Sequence, residues 1–224
     1  MQHKLYLRGA EAERLILYFN GWAMTPEAVE HLNLPSGYDL LVLWDYRTLE
    51  WELDLSAYKR ISLVAWSMGV WAVGRLRSIL QSLPLERAVA VCGTGYPMDD
   101  RWGIPTAVFE ATLQSITEEN RLRFNRRMCG GKSLRHLFEA LAQRTTDEIR
   151  DELQAVYDSE QECVHTALDT RVIDWSLAHV GLEDRIIPAS NQEAYWQMQG
   201  IPCRMHQAPH YIFGQMTHWS ELWS

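Results

Sequence analysis

Ser67 stands in Ala65-Trp66-Ser67-Met68-Gly69, directly after the apolar or small run Ile61 to Ala65. A serine hydroxyl is a poor nucleophile unless a base takes its proton and an acid orients that base. The chain offers both, far downstream. Asp184 lies in Gly181-Leu182-Glu183-Asp184-Arg185-Ile186-Ile187-Pro188, and His210 lies in Ala208-Pro209-His210-Tyr211-Ile212-Phe213. A serine, then an acid, then a histidine is the chain order in which one large group of hydrolases arranges acyl transfer.

For three such distant residues to meet, the elements between them must be strands that end in one place. Ile61–Ala65 reads as a buried strand, and Val70, Val73, Gly74 and Leu76 continue at helical spacing to about Leu80. Strand, tight turn and helix with serine at the apex make a nucleophile elbow. Its backbone is strained, so its flanks must be small. The competing reading is ordinary: serine is a common helix N-cap, and any α/β protein has strands followed by capped helices. Asp45, Asp99 and Asp174 compete with Asp184 for the acid. His206 and His218 compete with His210, but one falls inside a short strand and the other on a helix. Position just past a strand favours Asp184 and His210. His3, His31, His136, His165 and His179 have no motif around them.

The remaining elements fit a parallel sheet. Strands are expected at 4–8, 15–19, 38–44, 88–92, 174–179 and 203–206. Helices are expected after Thr25-Pro26, over 191–198, and at the terminus with Trp219 and Trp223. The region 107–168 has only helical patterns, at 107–113, 118–128, 133–143 and 146–157, and reads as a lid inserted into one α/β domain spanning 1–224. An oxyanion needs two backbone N–H groups, one from the residue after the nucleophile and one from an early loop. Met68 supplies the first, and Trp22, in Asn20-Gly21-Trp22 after the strand at 15–19, is the candidate for the second.

The 224 residues are enough for one sizeable core, and 47% hydrophobic with 22% charged residues is an ordinary globular balance. A net charge of −8 argues against general nucleic-acid binding. Cys92, Cys129, Cys163 and Cys203 are too scattered for a zinc site or a disulfide framework. There is no signal-like apolar run at the N-terminus and no stretch long enough for a membrane span, so a soluble cytoplasmic protein is expected.

Taken together, the Phe-Asn-Gly-Trp loop, the Trp-Ser-Met-Gly elbow, Gly-x-Glu-Asp-x-Ile-x-Pro and Pro-His-Tyr-x-Phe resemble the BioG-type pimeloyl-acyl carrier protein methyl ester esterases. These belong to the α/β-hydrolase superfamily and are more distantly similar to the BioH esterases. The sharpest matches lie at 18–24, 63–69, 181–188 and 208–213. The resemblance implies an α/β-hydrolase fold and a cytoplasmic serine esterase of biotin synthesis. It would free the pimeloyl carboxylate of an acyl carrier protein without a metal or organic cofactor; a monomer is expected, although the sequence does not reveal the oligomeric state. Ser67, Asp184 and His210 would be catalytic, and Trp22 and Met68 would hold the oxyanion. Trp22, Trp66 and Phe124 are the candidates for lining the acyl channel. Two departures are visible: Asn20 where many relatives carry His before Gly-Trp, and Ala65 at the first elbow glycine. The triad alone fits a general carboxylesterase or thioesterase equally well. A hydrolase-fold binding protein without activity is the reading from another class.

Between Arg121 and Phe138 the chain carries Arg121, Arg123, Arg126, Arg127, Lys132 and Arg135 and no acidic residue. A solvated helix face commonly explains such a run. On an acidic molecule it also suits docking of a small acidic carrier protein, with Arg121, Arg123, Arg126 and Arg127 as the docking candidates.

Overall fold

A computed structural model describes residues 1–7, 12–128, 134–162 and 173–224. Its centre is β2 (Arg14–Phe19), where Leu15 to Phe19 are entirely buried. A continuous apolar run of this kind suits a strand covered on both faces. It pairs in parallel with β3 (Tyr38–Trp44) on one side and β4 (Arg60–Trp66) on the other. β1 (Gln2–Tyr6) closes one edge antiparallel to β3. β5 (Leu85–Val91), β6 (Leu177–Gly181) and β7 (Cys203–His206) extend the parallel side, giving the order β1-β3-β2-β4-β5-β6-β7. The result is a seven-stranded, mostly parallel sheet flanked by helices.

Behind β4 the chain forms α1 (Met68–Arg75) and α2 (Arg77–Leu80), broken at Leu76, where the hydrophobic spacing suggests a single helix. Between β5 and β6 come α3 (Thr106–Gln114), α4 (Glu118–Met128), α5 (Arg135–Ala142) and α6 (Thr146–Glu162). No strand occurs among the described residues of that stretch, as its patterns predict. α7 (Ala189–Gln199) packs beside β6 and ends at Gly200 in the left-handed region.

Element boundaries move where pairing overrides composition. β5 begins three residues before the expected 88 because Glu86 and Arg87, polar by type, sit in its less buried first half. There the Glu86 carboxylate accepts the Ser62 hydroxyl at 2.8 Å and the Tyr38 hydroxyl at 3.0 Å. β6 lies at 177–181 rather than 174–179, since its ladder with β5 starts only at Leu177 opposite Val89. β1 runs 2–6 rather than 4–8, set by Gln2 opposite Trp44. The helix expected after Thr25-Pro26 is a single 3-10 turn, Pro26–Ala28, and the terminal helix is likewise a 3-10 turn, Trp219–Leu222. Among the described residues, no helix is long and apolar enough to cross a membrane.

Candidate active site

β4 delivers Trp66 into the sheet and Ser67 out of it. Ser67 has φ 55° and ψ −121°, a conformation that side-chain-bearing residues rarely hold without surrounding support. That support is visible. Ser67 N–H donates to Val91 O at 2.9 Å, and Val70 N–H donates to Ser67 O at 3.0 Å. The glycines beside the turn are needed for close approach. A Cβ on Gly69 would collide with the Phe19 carbonyl, and one on Gly93 would lie 2.6 Å from Ser67 O. Ala65, by contrast, is accommodated between Phe19 and Ala90 in the ladder and is fully buried.

The three distant residues meet. Ser67 Oγ lies 2.8 Å from His210 Nε2, and His210 Nδ1 lies 2.7 Å from Asp184 Oδ2. A carboxylate can only accept, so Nδ1–H must donate to it, which leaves Nε2 as the acceptor for the serine hydroxyl. Asp184 is fixed in turn: Oδ1 accepts Ile186 N–H at 2.8 Å and Ile187 N–H at 3.0 Å, and Oδ2 accepts Gln192 Nε2 at 2.8 Å. The two loops can touch because Gly181 has no side chain; a Cβ there would lie 2.8 Å from both Ala208 O and Pro209 O. The arrangement can move a proton from Ser67 to His210 while the new imidazolium faces a fixed carboxylate.

The competing residues are occupied elsewhere. Asp45 is ion-paired with Arg47 and Arg144 at 2.6 and 3.1 Å. Burial works to raise its pKa, but the hydrogen bond and charges of those arginines outweigh it and hold the carboxyl below its usual range. Asp99 caps a turn by accepting Arg101 and Trp102 N–H, and Asp174 is exposed before β6. His206 Nε2 lies 2.7 Å from His179 Nδ1, and His179 Nε2 donates to Leu222 O at 2.8 Å. Burial lowers His179 to a pKa of about 4. His218 caps the terminal 3-10 turn with Glu221.

Opposite the elbow, the loop after β2 is tied down by Asn20. Its Oδ1 accepts Gly21 N–H at 3.0 Å and Tyr18 OH at 3.1 Å, and its amide donates to Thr25 O at 2.8 Å. An Asn side chain therefore braces the loop that leads to Gly21 and Trp22. Gly21 lies flat against the Trp66 ring, since a Cβ there would fall 2.9 Å from Trp66 Cε3. Trp66 also donates Nε1–H to His210 O at 3.1 Å, so one side chain touches both the early loop and the histidine loop. Met68 opens α1, where amides have no intrahelical acceptor.

Gly21, Trp22, Trp66, Ser67, Met68, Phe124 and His210 line a small cavity of about 40 Å³, walled further by α3 and by Leu153 of α6. Beyond the edge-to-face pair of Trp22 and Phe124, with ring centres 4.9 Å apart, a second cavity of about 210 Å³ opens beneath α3, α4, α5 and α6. Trp22, Phe124 and Thr112 line both.

The basic run divides. Arg121 turns inward and is used up there: it donates to Leu141 O at 2.6 Å, Arg144 O at 2.9 Å and Thr146 Oγ1 at 3.1 Å, and it pairs with Glu118. It crosslinks the helices, which corrects the expectation that it faces a partner. Arg123 is exposed and pairs with Glu119 at 2.7 Å. The window beginning at Arg121 misses both acids because they lie just upstream of it. The side chains of Arg126 and Arg127 lie outside the described residues, as do Lys132, Cys129 and Cys163. Cys92 and Cys203 are free thiols, and no group of three or more His, Cys, Asp or Glu among the described residues could hold a metal ion.

One buried residue carries no sequence motif. Glu152 of α6 is fully buried and accepts Ala23 N–H at 3.2 Å and Tyr46 N–H at 2.9 Å, while pairing with Arg144 at 2.5 Å. Burial raises its pKa, opposed chiefly by the Arg144 charge. An acid at a regular position in a polar helix gives no sign of this use.

Residues 1–222 match the family described as "Pimeloyl-ACP methyl esterase BioG". The chain belongs to that family. BioG from Haemophilus influenzae, known from a crystal structure, is 43% identical and superposes with a TM-score of 0.85 over 100% of both chains. A malonyl-acyl carrier protein O-methyltransferase from Bacteroides fragilis is 38% identical over 88% of this chain, which covers 39% of that protein. A hydrolase from Pseudomonas aeruginosa PA01 is 16% identical, with a TM-score of 0.65 over 95% of this chain and 88% of its own. Family and fold agree: the sheet is that of an α/β-hydrolase.

Proposed function

We propose that this chain is a cytoplasmic serine esterase that removes the methyl ester from pimeloyl-acyl carrier protein in biotin synthesis, releasing methanol and the free carboxylate. The observation that carries the reading is the hydrogen-bonded line from Ser67 through His210 to Asp184, on a strained elbow beside an apolar pocket, in a chain of the BioG family. Ser67 Oγ attacks the ester carbonyl as its proton passes to His210 Nε2. The N–H groups of Trp22 and Met68 stabilise the oxyanion. Collapse expels methoxide, which takes the proton from His210, and leaves a pimeloyl-serine ester. Water then attacks that ester, giving a proton to His210 that returns to Ser67 as the acid leaves.

The small pocket suits the ester end of the substrate, with Trp22, Trp66 and Phe124 against the acyl chain. In this reading the helices within 107–168 form the lid, and Arg123, Arg126 and Arg127 attract the acidic carrier protein. The relative from B. fragilis supports the carrier-protein part: its name describes methylation on an acyl carrier protein, and de-esterification on a carrier is the complementary step.

The test is methanol release from pimeloyl-acyl carrier protein methyl ester, with wild type beside Ser67→Ala. Loss of roughly three orders of magnitude or more in the variant is expected. Wild type that is inert on this substrate, yet cleaves p-nitrophenyl esters through Ser67, would leave a general esterase. Faster cleavage of the thioester than of the methyl ester would make it a thioesterase.

A further inference from the structure

Gln192, in the first turn of α7, is fully buried. Its side-chain amide serves two acceptors: Nε2 donates to Asp184 Oδ2 at 2.8 Å and to Ile187 O at 2.8 Å. The reversed orientation would set an oxygen against both acceptors, so the amide hydrogens must face them. That choice leaves Gln192 Oε1 buried without a hydrogen-bond partner among the described residues. Such an atom is rare, because its desolvation goes uncompensated. An apolar side chain of the same length would avoid the penalty, so the use of a glutamine here lies in its donors.

The oxygen that receives the donor is the informative part. Asp184 Oδ1 accepts the backbone N–H groups of Ile186 and Ile187, whereas Oδ2 accepts both Gln192 Nε2 and His210 Nδ1. The positive end of a neutral amide thus rests on the same oxygen that faces the imidazole. It draws off part of the charge that would pull a proton onto His210. A base that is already protonated cannot accept from Ser67. The other ionisable groups nearby leave this balance to Gln192. Cys92, at the end of β5, is a buried thiol kept neutral by burial and then by the Asp184 charge. Arg185 is exposed on the lining of the Ser67 pocket, Glu183 is exposed and accepts Gln207 Nε2 at 2.8 Å, and Glu193 of α7 is exposed. Among the described residues none of these donates to Asp184 Oδ2.

We propose that Gln192 is a positioning residue for the proton transfer: by sharing Asp184 Oδ2 with His210, it keeps the imidazole a free base at a lower pH than the carboxylate alone would allow. The assignment rests on the Ser67–His210–Asp184 reading above. Gln192 acts through Asp184 and touches none of the reacting atoms.

The experiment measures kcat/KM against pH on p-nitrophenyl acetate for wild type, Gln192→Met and Gln192→Leu, with Ser67→Ala as the control. Thermal midpoints are taken alongside. Both Gln192 variants remove the unpaired Oε1 together with the donors, so their midpoints should be no lower than that of the wild type. The acid limb of the profile should move to higher pH by about one unit, giving a roughly tenfold loss well below its midpoint and less than about threefold on the plateau. A uniform loss at every pH with a lowered thermal midpoint would make Gln192 a loop staple and overturn the proposal. An acid limb that stays in place, or moves to lower pH, overturns it too. Hydrolysis that survives undiminished in Ser67→Ala overturns the triad reading itself, and this inference with it.

Discussion

Glu152 Oε2 accepts the Ala23 N–H at 3.2 Å, and one turn earlier on the same helix Ile149 O accepts Trp22 Nε1–H at 2.8 Å. The loop that carries the proposed oxyanion donor is thus held from the far side by α6, a helix lying between β5 and β6. Ala23 sits at φ 66°, so the loop would relax if released. Glu152→Gln keeps the size but gives up the charge pair to Arg144 and one of the two backbone N–H acceptors. Because Glu152 positions a donor and does not touch substrate, kcat should fall roughly tenfold or more on every ester while KM changes little. A trifluoromethyl ketone, which places an oxyanion in the same hole, should lose affinity by a similar factor. Unchanged inhibitor affinity in a folded variant would assign Glu152 to stability alone.

A second dependence joins Gly21 to Trp66. The glycine is required by the ring that lies on it, and that ring holds the His210 loop through its indole N–H. Gly21→Ala should therefore destabilise the protein by about 1–3 kcal/mol through overpacking, and should also lower activity. Adding Trp66→Leu should recover stability, measured by urea unfolding, without recovering activity, because the indole contact to His210 O is gone. Recovery of both would mean that Trp66 acts by volume alone.

The sequence shows which segments become strands because apolar runs such as 15–19 are long enough to be unambiguous, although pairing moves the ends of β1, β5 and β6, and it points to Ser67, Asp184 and His210 because each sits in a short motif at a strand end. It does not hold Glu152, whose meaning depends on α6 crossing the ends of β2 and β3. Nor does it show that Arg121 points inward, since helical spacing gives a face but not what covers it.

The histidine pair beneath the terminal turn gives a pH dependence. His179 is buried against Leu222 O and His206, and burial, with lesser contributions from His206 and Arg204, lowers its pKa from 6.5 to about 4. The unfolded chain takes up the proton first as pH falls, so this stabilisation is full above pH 6.5 and is lost progressively down to about pH 4. The contribution is at most about 3 kcal/mol. His179→Gln should start less stable at neutral pH and show a shallower decline between pH 7 and 4.5 in urea melts. Parallel declines for variant and wild type would place the acid sensitivity elsewhere.

Arg123 is the described cation left for a carrier protein, since Arg121 is committed to the carbonyls of Leu141 and Arg144. Its pair with Glu119 is exposed at both ends, 65% and 76%, and such a pair holds the guanidinium only weakly against a better partner. Arg123→Glu should then raise KM for the carrier-bound ester several-fold at low salt, with the difference shrinking as salt is added, and should spare a p-nitrophenyl ester. Glu119→Lys should act in the opposite sense, because it frees Arg123 and adds a cation to the same face. Arg121→Ala, by contrast, opens the crosslink among α4, α5 and α6 and should cost activity on both substrates equally. If Arg123→Glu behaves like Arg121→Ala, the basic run serves the helices and the carrier protein docks elsewhere.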